Sequence, residues 1–301
     1  MVKGQQQRCG FLALLGAPNA GKSTLLNTIV GAKVSIVTPK VQTTRMRILG
    51  VSIVGDAQLV FIDTPGIFTP KRRLDRAMVA AAWGGASDSD VILLLIDAKT
   101  GIDRDTRRII NGLKESNRPA VCVLNKIDTV KRSSLLALTD NLVSENIFTD
   151  FFMISALNGD GVEDLRCELA GRLPEGPWHF PENQLSDMND RLFAAEITRE
   201  KLYLNLYQEL PYALTVETET WEPFDNGAVK VEQVIFVERD RQKGIVLGKG
   251  GELIKRVRTL AQEELKDILE RDVHLFLFVK VRENWGDDPE RYRDWGLDFS
   301  R

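Results

Sequence analysis

The chain of 301 residues is poor in soft metal ligands, with three cysteines and two histidines. Cys9, Cys122 and Cys167 stand far apart, without ligand-like spacing to one another or to His179 and His274. That excludes a zinc site and a disulfide framework, and so sparse and odd a set fits a reducing compartment. Long apolar runs are also missing: no stretch reaches the roughly 18 residues needed to cross a bilayer. The run Phe11–Leu15 is too short for a secretory leader and passes at once into a glycine-rich turn, so a cytoplasmic protein is expected. Nor is there an excess of one charge. Forty basic residues against 43 acidic ones leave −3, which excludes a polycation and confines any nucleic-acid surface to a local patch.

What is present is ordinary globular material: 43% hydrophobic and 28% charged residues, enough for one large domain or two ordinary ones. Residues 11–15, 58–63, 91–97, 120–125 and 151–155 are short, nearly continuous apolar runs. They read as strands buried on both faces. Between them, 104–115, 133–145 and 162–173 read as helices. This alternation predicts a mainly parallel α/β sheet, with ligands beyond the carboxyl ends of its strands. Pro174, Pro177 and Pro181 break the alternation and read as a linker. Beyond it the pattern becomes helix (191–209), strand (212–220), strand (229–237), helix (252–271) and strand (273–281), an α+β arrangement. The predicted division is residues 1–174, a linker over 175–190, a second domain over 191–285 and a tail over 286–301. The C-terminal aromatics Trp285, Tyr292 and Trp295 are expected to pack back on that second domain.

The first strand runs into Gly16-Ala17-Pro18-Asn19-Ala20-Gly21-Lys22-Ser23-Thr24, which fits G-x-x-x-x-G-K-S/T and opens a helix. Glycines let successive N–H groups turn inward onto phosphate oxygens, and the helix start adds its dipole. Lys22 is placed to neutralise the β- and γ-phosphates and Ser23 to ligate Mg²⁺. This motif alone predicts a nucleoside triphosphatase or kinase, without naming the base. The base follows from Asn125-Lys126-Ile127-Asp128, directly after a strand. A carboxylate at Asp128 can accept from guanine N1–H and the exocyclic amine, a donor pair adenine lacks. Asn125 can bond the base and brace the loop, the Lys126 stem can lie along the ring, and within Ser155-Ala156-Leu157 the Ala156 N–H can meet guanine O6.

Two further segments read as nucleotide sensors. Asp63-Thr64-Pro65-Gly66 ends a strand; Asp63 is placed to hold Mg²⁺ through water, and the Gly66 N–H to report the γ-phosphate. Gln42-Thr43-Thr44-Arg45 lies in a polar loop, where one threonine can complete the metal shell. In the second half, Gly248-Lys249-Gly250-Gly251 stands between the apolar run Ile245-Val246-Leu247 and a helix. It resembles the backbone clamp of a KH domain. Arg239, Arg241, Lys243, Lys249, Lys255, Arg256 and Arg258 meet only Asp240 and Glu252 in that stretch, the local patch an RNA backbone requires. Base contacts are expected from Ile245, Val246 and Leu247.

GAPNAGKS, QTTR, DTPG, NKID and SAL in this order, followed by the GXXG segment, resemble the Era family of translation GTPases over nearly the whole chain. The resemblance implies an α/β P-loop NTPase G domain with a mixed, mostly parallel sheet, followed by an α+β type II KH domain. It implies Thr44 as the switch threonine, GTP/GDP as ligands and binding near the 3′ end of 16S rRNA in maturation of the small ribosomal subunit. It also implies loose contact with the cytoplasmic membrane; a monomer is expected. Asn19 resembles the loop asparagine that helps hold K⁺ in relatives. Where Ras-like proteins carry a water-orienting glutamine, this chain has Ile67, so slow intrinsic hydrolysis is expected. Two rival readings are an RNA-binding scaffold with little turnover, and an ATPase or small-molecule kinase.

Overall fold

Leu12, Ala13, Leu14 and Leu15 are all fully buried in β1 (Arg8–Gly16). A central parallel strand covered on both faces demands such a run. The computed structural model describes residues 7–300. After β1 come α1 (Lys22–Val30), β2 (Ile48–Val54), β3 (Ala57–Asp63), α2 (Arg73–Ser87) and β4 (Val91–Asp97). Then follow α3 (Arg104–Glu115), β5 (Ala120–Asn125), α4 (Arg132–Val143), β6 (Phe148–Met153) and α5 (Val162–Arg172). The strands lie in the order β2-β3-β1-β4-β5-β6. Every pairing is parallel except β2 with β3, so the sheet is mixed and mostly parallel. Because β1 pairs with β3 on one side and β4 on the other, its carboxyl end is the crevice where a ligand belongs.

Local chemistry sets the helices on this sheet. The Asp103 carboxylate caps α3 by accepting from Thr106 N at 2.7 Å, and Ile109, Ile110 and Leu113 turn into the core with β4 and β5. Asp75 accepts from the Lys71 and Arg72 amides at 2.9 and 3.0 Å, which starts α2.

The second fold consists of α6 (Asp190–Asn205), β7 (Leu214–Pro223), β8 (Val229–Val237), α7 (Asp240–Leu247), α8 (Glu252–Leu269) and β9 (Val273–Val281). β8 is central, antiparallel to β7 and parallel to β9. Helix α7 is an addition to the sequence reading, which left Ile245–Leu247 as an apolar run. Eight residues, one of them Gly244, carry too little periodicity to announce a helix.

The described residues form two compact units that do not follow a single cut in the chain. The first takes residues up to Ser35, Thr44–Asp187 and Tyr292 onward; the second takes Ile36–Thr43 and Met188–Arg291. Residues 178–187, within the expected linker, lie along the first sheet. Gln58 accepts from the His179 and Phe180 amides, and Val51 N donates to Leu185 O at 2.9 Å. The C-terminal aromatics also divide. Trp285 is buried in the second unit, its Nε1 donating to Ala213 O at 3.0 Å. Tyr292, Trp295 and Phe299 cluster within the first unit, where Arg73 lies 4.7 Å from the Phe299 ring centre. The expectation that these aromatics pack on the second domain therefore holds for Trp285 alone.

Candidate functional site

The turn from β1 to α1 is built for backbone to curl. Gly21 has φ +97°, and a β-carbon there would stand 2.2 Å from Asn125 Nδ2, so only glycine fits. Asn19, also left-handed at φ +62°, stands exposed at the rim. Pro18 faces Gly66, where an added β-carbon would be 3.0 Å from Pro18 Cα, and Ile67 N donates to Gly16 O at 3.2 Å. Ala17, Ala20 and Lys22 are buried in this loop, and Thr24 is half-buried on α1. The Lys22 ammonium lies over the loop, donating to Gly16 O and Ala17 O at 3.2 Å each. Burial lowers its pKa to about 8, and the nearby Asp63 carboxylate opposes that shift.

Beside Lys22, four oxygens converge. Ser23 Oγ donates to Asp63 Oδ2 at 2.6 Å and lies 2.9 Å from Thr44 Oγ1. Ser35 Oγ donates to the same carboxylate oxygen at 3.0 Å, and Thr44 Oγ1 lies 3.5 Å from it. Asp63 Oδ1 is buried without a hydrogen-bond partner among the described residues. Burial raises the Asp63 pKa, against the lowering influence of Lys22 and of the Ser23, Ser35 and Thr44 hydroxyls. Burial thus shifts the Lys22 pKa down and the Asp63 pKa up, as in halves of a site that an anion and a cation would complete. An orphaned carboxylate oxygen among hard hydroxyl donors fits Mg²⁺. Ser35 was not apparent from the sequence, because it belongs to no motif; Asn27 Oδ1 fixes its backbone by accepting from Ser35 N at 2.9 Å.

The neighbouring residues sort by direction. Thr43 Oγ1 donates to Lys40 O at 2.7 Å and lies 2.6 Å from Thr38 Oγ1. Gln42 is left-handed at φ +57° and Arg45 is buried. Thr64 donates to Leu14 O at 2.8 Å, and Pro65 is buried beside it. Ile67 is fully buried in the core with Leu15, Ala82 and Leu94, so its side chain cannot act on a water near phosphate.

Asn125 is the hub at the base end. Its Nδ2 donates to Ala20 O at 2.9 Å, while its Oδ1 accepts from Lys126 N at 2.8 Å and from Ala156 N at 3.0 Å. The Ala156 N–H, expected to meet guanine O6, donates here to Asn125 Oδ1. The Ala156 carbonyl accepts from Thr28 Oγ1 at 2.7 Å. Lys126, left-handed at φ +64°, reaches Asn19 O and Asp97 Oδ2, both at 2.7 Å, which lays its stem beside the loop. Asp97 was another residue the motifs did not reveal. Ser155 is buried at the turn, Leu157 is 80% exposed and Asp128 presents an exposed carboxylate.

In the second unit, Gly248, Gly250 and Gly251 have φ of +75°, +61° and +79°. A β-carbon on Gly248 would meet Leu253 Cβ at 2.7 Å, whereas Gly250 and Gly251 open onto space. Lys249, Lys255 and Arg256 are exposed, and Arg258 is half-buried, donating to Gln262 Oε1 at 3.1 Å. The apolar run needs correction. Ile245 is 50% exposed, Leu247 packs partly against the core, and Val246 is 0% exposed, so Val246 is a core residue unable to touch RNA.

Two family models match the chain. The family described as 50S ribosome-binding GTPase matches residues 11–126, and the KH domain family matches residues 209–286. GTPase Era of Rhizobium meliloti (strain 1021) is 62% identical over 294 residues, 98% of this chain and 94% of that protein. GTPase Era of Agrobacterium fabrum (strain C58) is 60% identical, over 98% and 93%. Two crystal structures superpose with a TM-score of 0.91 at 39% identity, over 96% of this chain and 99% of theirs. One is an Aquifex aeolicus Era variant bound to GDP·AlF4⁻; the other is Era in complex with MgGDPNP and nucleotides 1506–1542 of 16S ribosomal RNA. With such identity along nearly its whole length, the chain belongs to the GTPase Era family.

Proposed function

We propose that this GTPase binds GTP with Mg²⁺, hydrolyses it slowly, and grips 16S rRNA near its 3′ end during maturation of the small ribosomal subunit. The observation that carries the reading is the convergence of Ser23, Thr44 and Asp63 beside Lys22 at the carboxyl end of β1. Relatives supply the ligands: one solved Era holds MgGDPNP and the 16S fragment together. Mg²⁺ would be held by Ser23 and Thr44, with Asp63 acting through water, and would supply charge neutralisation between the β- and γ-phosphates.

In this reading the loop amides from Gly16 to Thr24 cradle the phosphates and Lys22 adds a positive charge. Asp128 takes guanine N1–H and the exocyclic amine, and Asn125 holds the base loop to the phosphate loop. Ile67 offers no side chain to orient the attacking water, so that task falls to backbone, a cation or a partner. A K⁺ ion beside Asn19 is our assignment for the cation, supported by the exposed, left-handed position of Asn19 at the loop rim. Replacing K⁺ by Na⁺ should slow hydrolysis. Gly248–Gly251 would receive the RNA backbone, with Lys249, Lys255 and Arg256 on its phosphates and Ile245 and Leu247 against bases. A cytoplasmic monomer with peripheral contact to the membrane completes the proposal on family resemblance. No helix among the described residues is long and apolar enough to span a bilayer.

The direct test is nucleotide titration with paired variants. Asp128→Asn should lose GDP and gain xanthosine diphosphate, because the amide now offers a donor where the carboxylate accepted. Lys22→Ala should abolish turnover. Equal affinity of the parent protein for ADP and GDP would end the guanine assignment, and binding without turnover would favour an RNA-binding scaffold.

A further inference from the structure

The eight residues Ile36–Thr43, which lead directly into Thr44, belong to the second unit. Ile36 is buried with Ala194, Ile197 and Val231. Val37 N donates to Glu200 Oε1 at 2.8 Å. The Lys40 ammonium donates to the Tyr203 carbonyl. At the end of the segment, Arg199 Nη2 donates to the Thr43 carbonyl. That guanidinium is itself fixed: Arg199 is buried, and Glu196 accepts from its Nε at 2.7 Å and from its Nη2 at 2.5 Å. The Thr43 hydroxyl donates to Lys40 O, so the hydroxyl of Thr38 must donate to Thr43, which closes the turn internally.

Both flanks of this segment return to one atom. Ser35 and Thr44 each direct a hydroxyl at Asp63 Oδ2. The chain therefore leaves the cation site at Ser35, is fastened along α6, and comes back at Thr44. A peptide bond joins the carbonyl that Arg199 holds to the nitrogen of Thr44. Where that carbonyl is held limits where the Thr44 hydroxyl can point.

We propose that Arg199, oriented by Glu196, is a positioning residue for the switch threonine, so that α6 of the RNA-binding unit sets the protein's preference for GTP over GDP. The inference rests on the proposed role of Thr44 in holding Mg²⁺ beside a triphosphate. Arg199 is not among the residues assigned to nucleotide or metal. It acts on the one threonine whose hydroxyl should matter when a γ-phosphate is bound, and so alters the difference between two affinities rather than either fold or base recognition.

The test uses the full chain and compares Mg·GDPNP with GDP affinity. Removing Arg199 alone would strand a buried carboxylate, so the variant is E196L/R199M, which removes both charges from α6. The affinity ratio should fall about tenfold, the scale of losing one charge-assisted positioning contact. GDP affinity should stay within about twofold of the parent. Thr44→Val sets the full size of the effect. An unchanged ratio, or equal loss for both nucleotides, in a double variant with parental circular dichroism would overturn the proposal. Should that variant not fold, Arg199→Lys keeps the charge pair and a single donor; a fall of about threefold in the ratio supports the role, and no fall overturns it. The parent controls for the underlying function. If it shows no preference between GDPNP and GDP, the assignment of Thr44 fails; if its preference is normal and the variants share it, only the role of Arg199 fails.

Discussion

Raising the pH should loosen nucleotide binding through Lys22, with a size that its burial dictates. In the free protein burial brings its pKa to about 8, below the ordinary lysine value. A bound phosphate stabilises the ammonium and raises the pKa back toward the ordinary lysine value, so binding takes up a proton once the pH exceeds about 8. Affinity must then fall as pH rises, not increase. A lysine of pKa about 8 is about nine-tenths protonated at pH 7 and about one-tenth at pH 9, so the GDP dissociation constant should grow roughly tenfold between them. Calorimetry in two buffers of different ionisation enthalpy should show proton uptake approaching one per GDP at pH 9. Guanine's own N1–H also ionises at alkaline pH, and Lys22→Arg separates the two effects, because a guanidinium keeps its charge throughout. The reasoning is refuted if the parent and Lys22→Arg lose affinity in parallel.

Three more outcomes follow from the geometry. Gly21→Ala forces a β-carbon to within 2.2 Å of Asn125 Nδ2 at a positive φ, and should lower unfolding stability by about 2–4 kcal/mol and weaken GDP binding, read by thermal melts and titration. Ile67→Gln should not restore a Ras-like rate in single-turnover assays. Its amide would enter an apolar cluster, costing about 1–3 kcal/mol in denaturant unfolding. Lys249→Ala and Arg256→Ala should each reduce the salt dependence of RNA affinity by about one unit of slope, measured by filter binding across a salt series.

Much of the nucleotide site was legible because its motifs sit at strand ends, where the spacing of Gly16, Lys22 and Ser23 carries its own geometry. Asp63 and Asn125 were found the same way. What remained hidden was set by tertiary contact. Nothing in the sequence distinguishes Ser35 from other loop serines until Asn27 fixes its backbone and its hydroxyl meets Asp63. Val246 looked like its neighbours, and only the turn of α7 shows that it points into the core while Ile245 points out. The antiparallel β2 went unseen because it follows a polar loop, and β3 had already accounted for the strong apolar signal. The choice between Thr43 and Thr44 turns on which way two adjacent hydroxyls face, a matter of backbone geometry that composition does not encode.

The path of residues 178–187 has a consequence for the sheet they follow. β2 is one of its two edge strands, and such margins invite foreign strands. Here the chain shields its own margin: Leu49 N reaches the Asp187 carboxylate at 3.0 Å, Val51 N reaches Leu185 O, and Ser186 bridges to Gly50. A fragment trimmed at the prolines would lose this guard and leave bare amides on β2 ready to join another molecule.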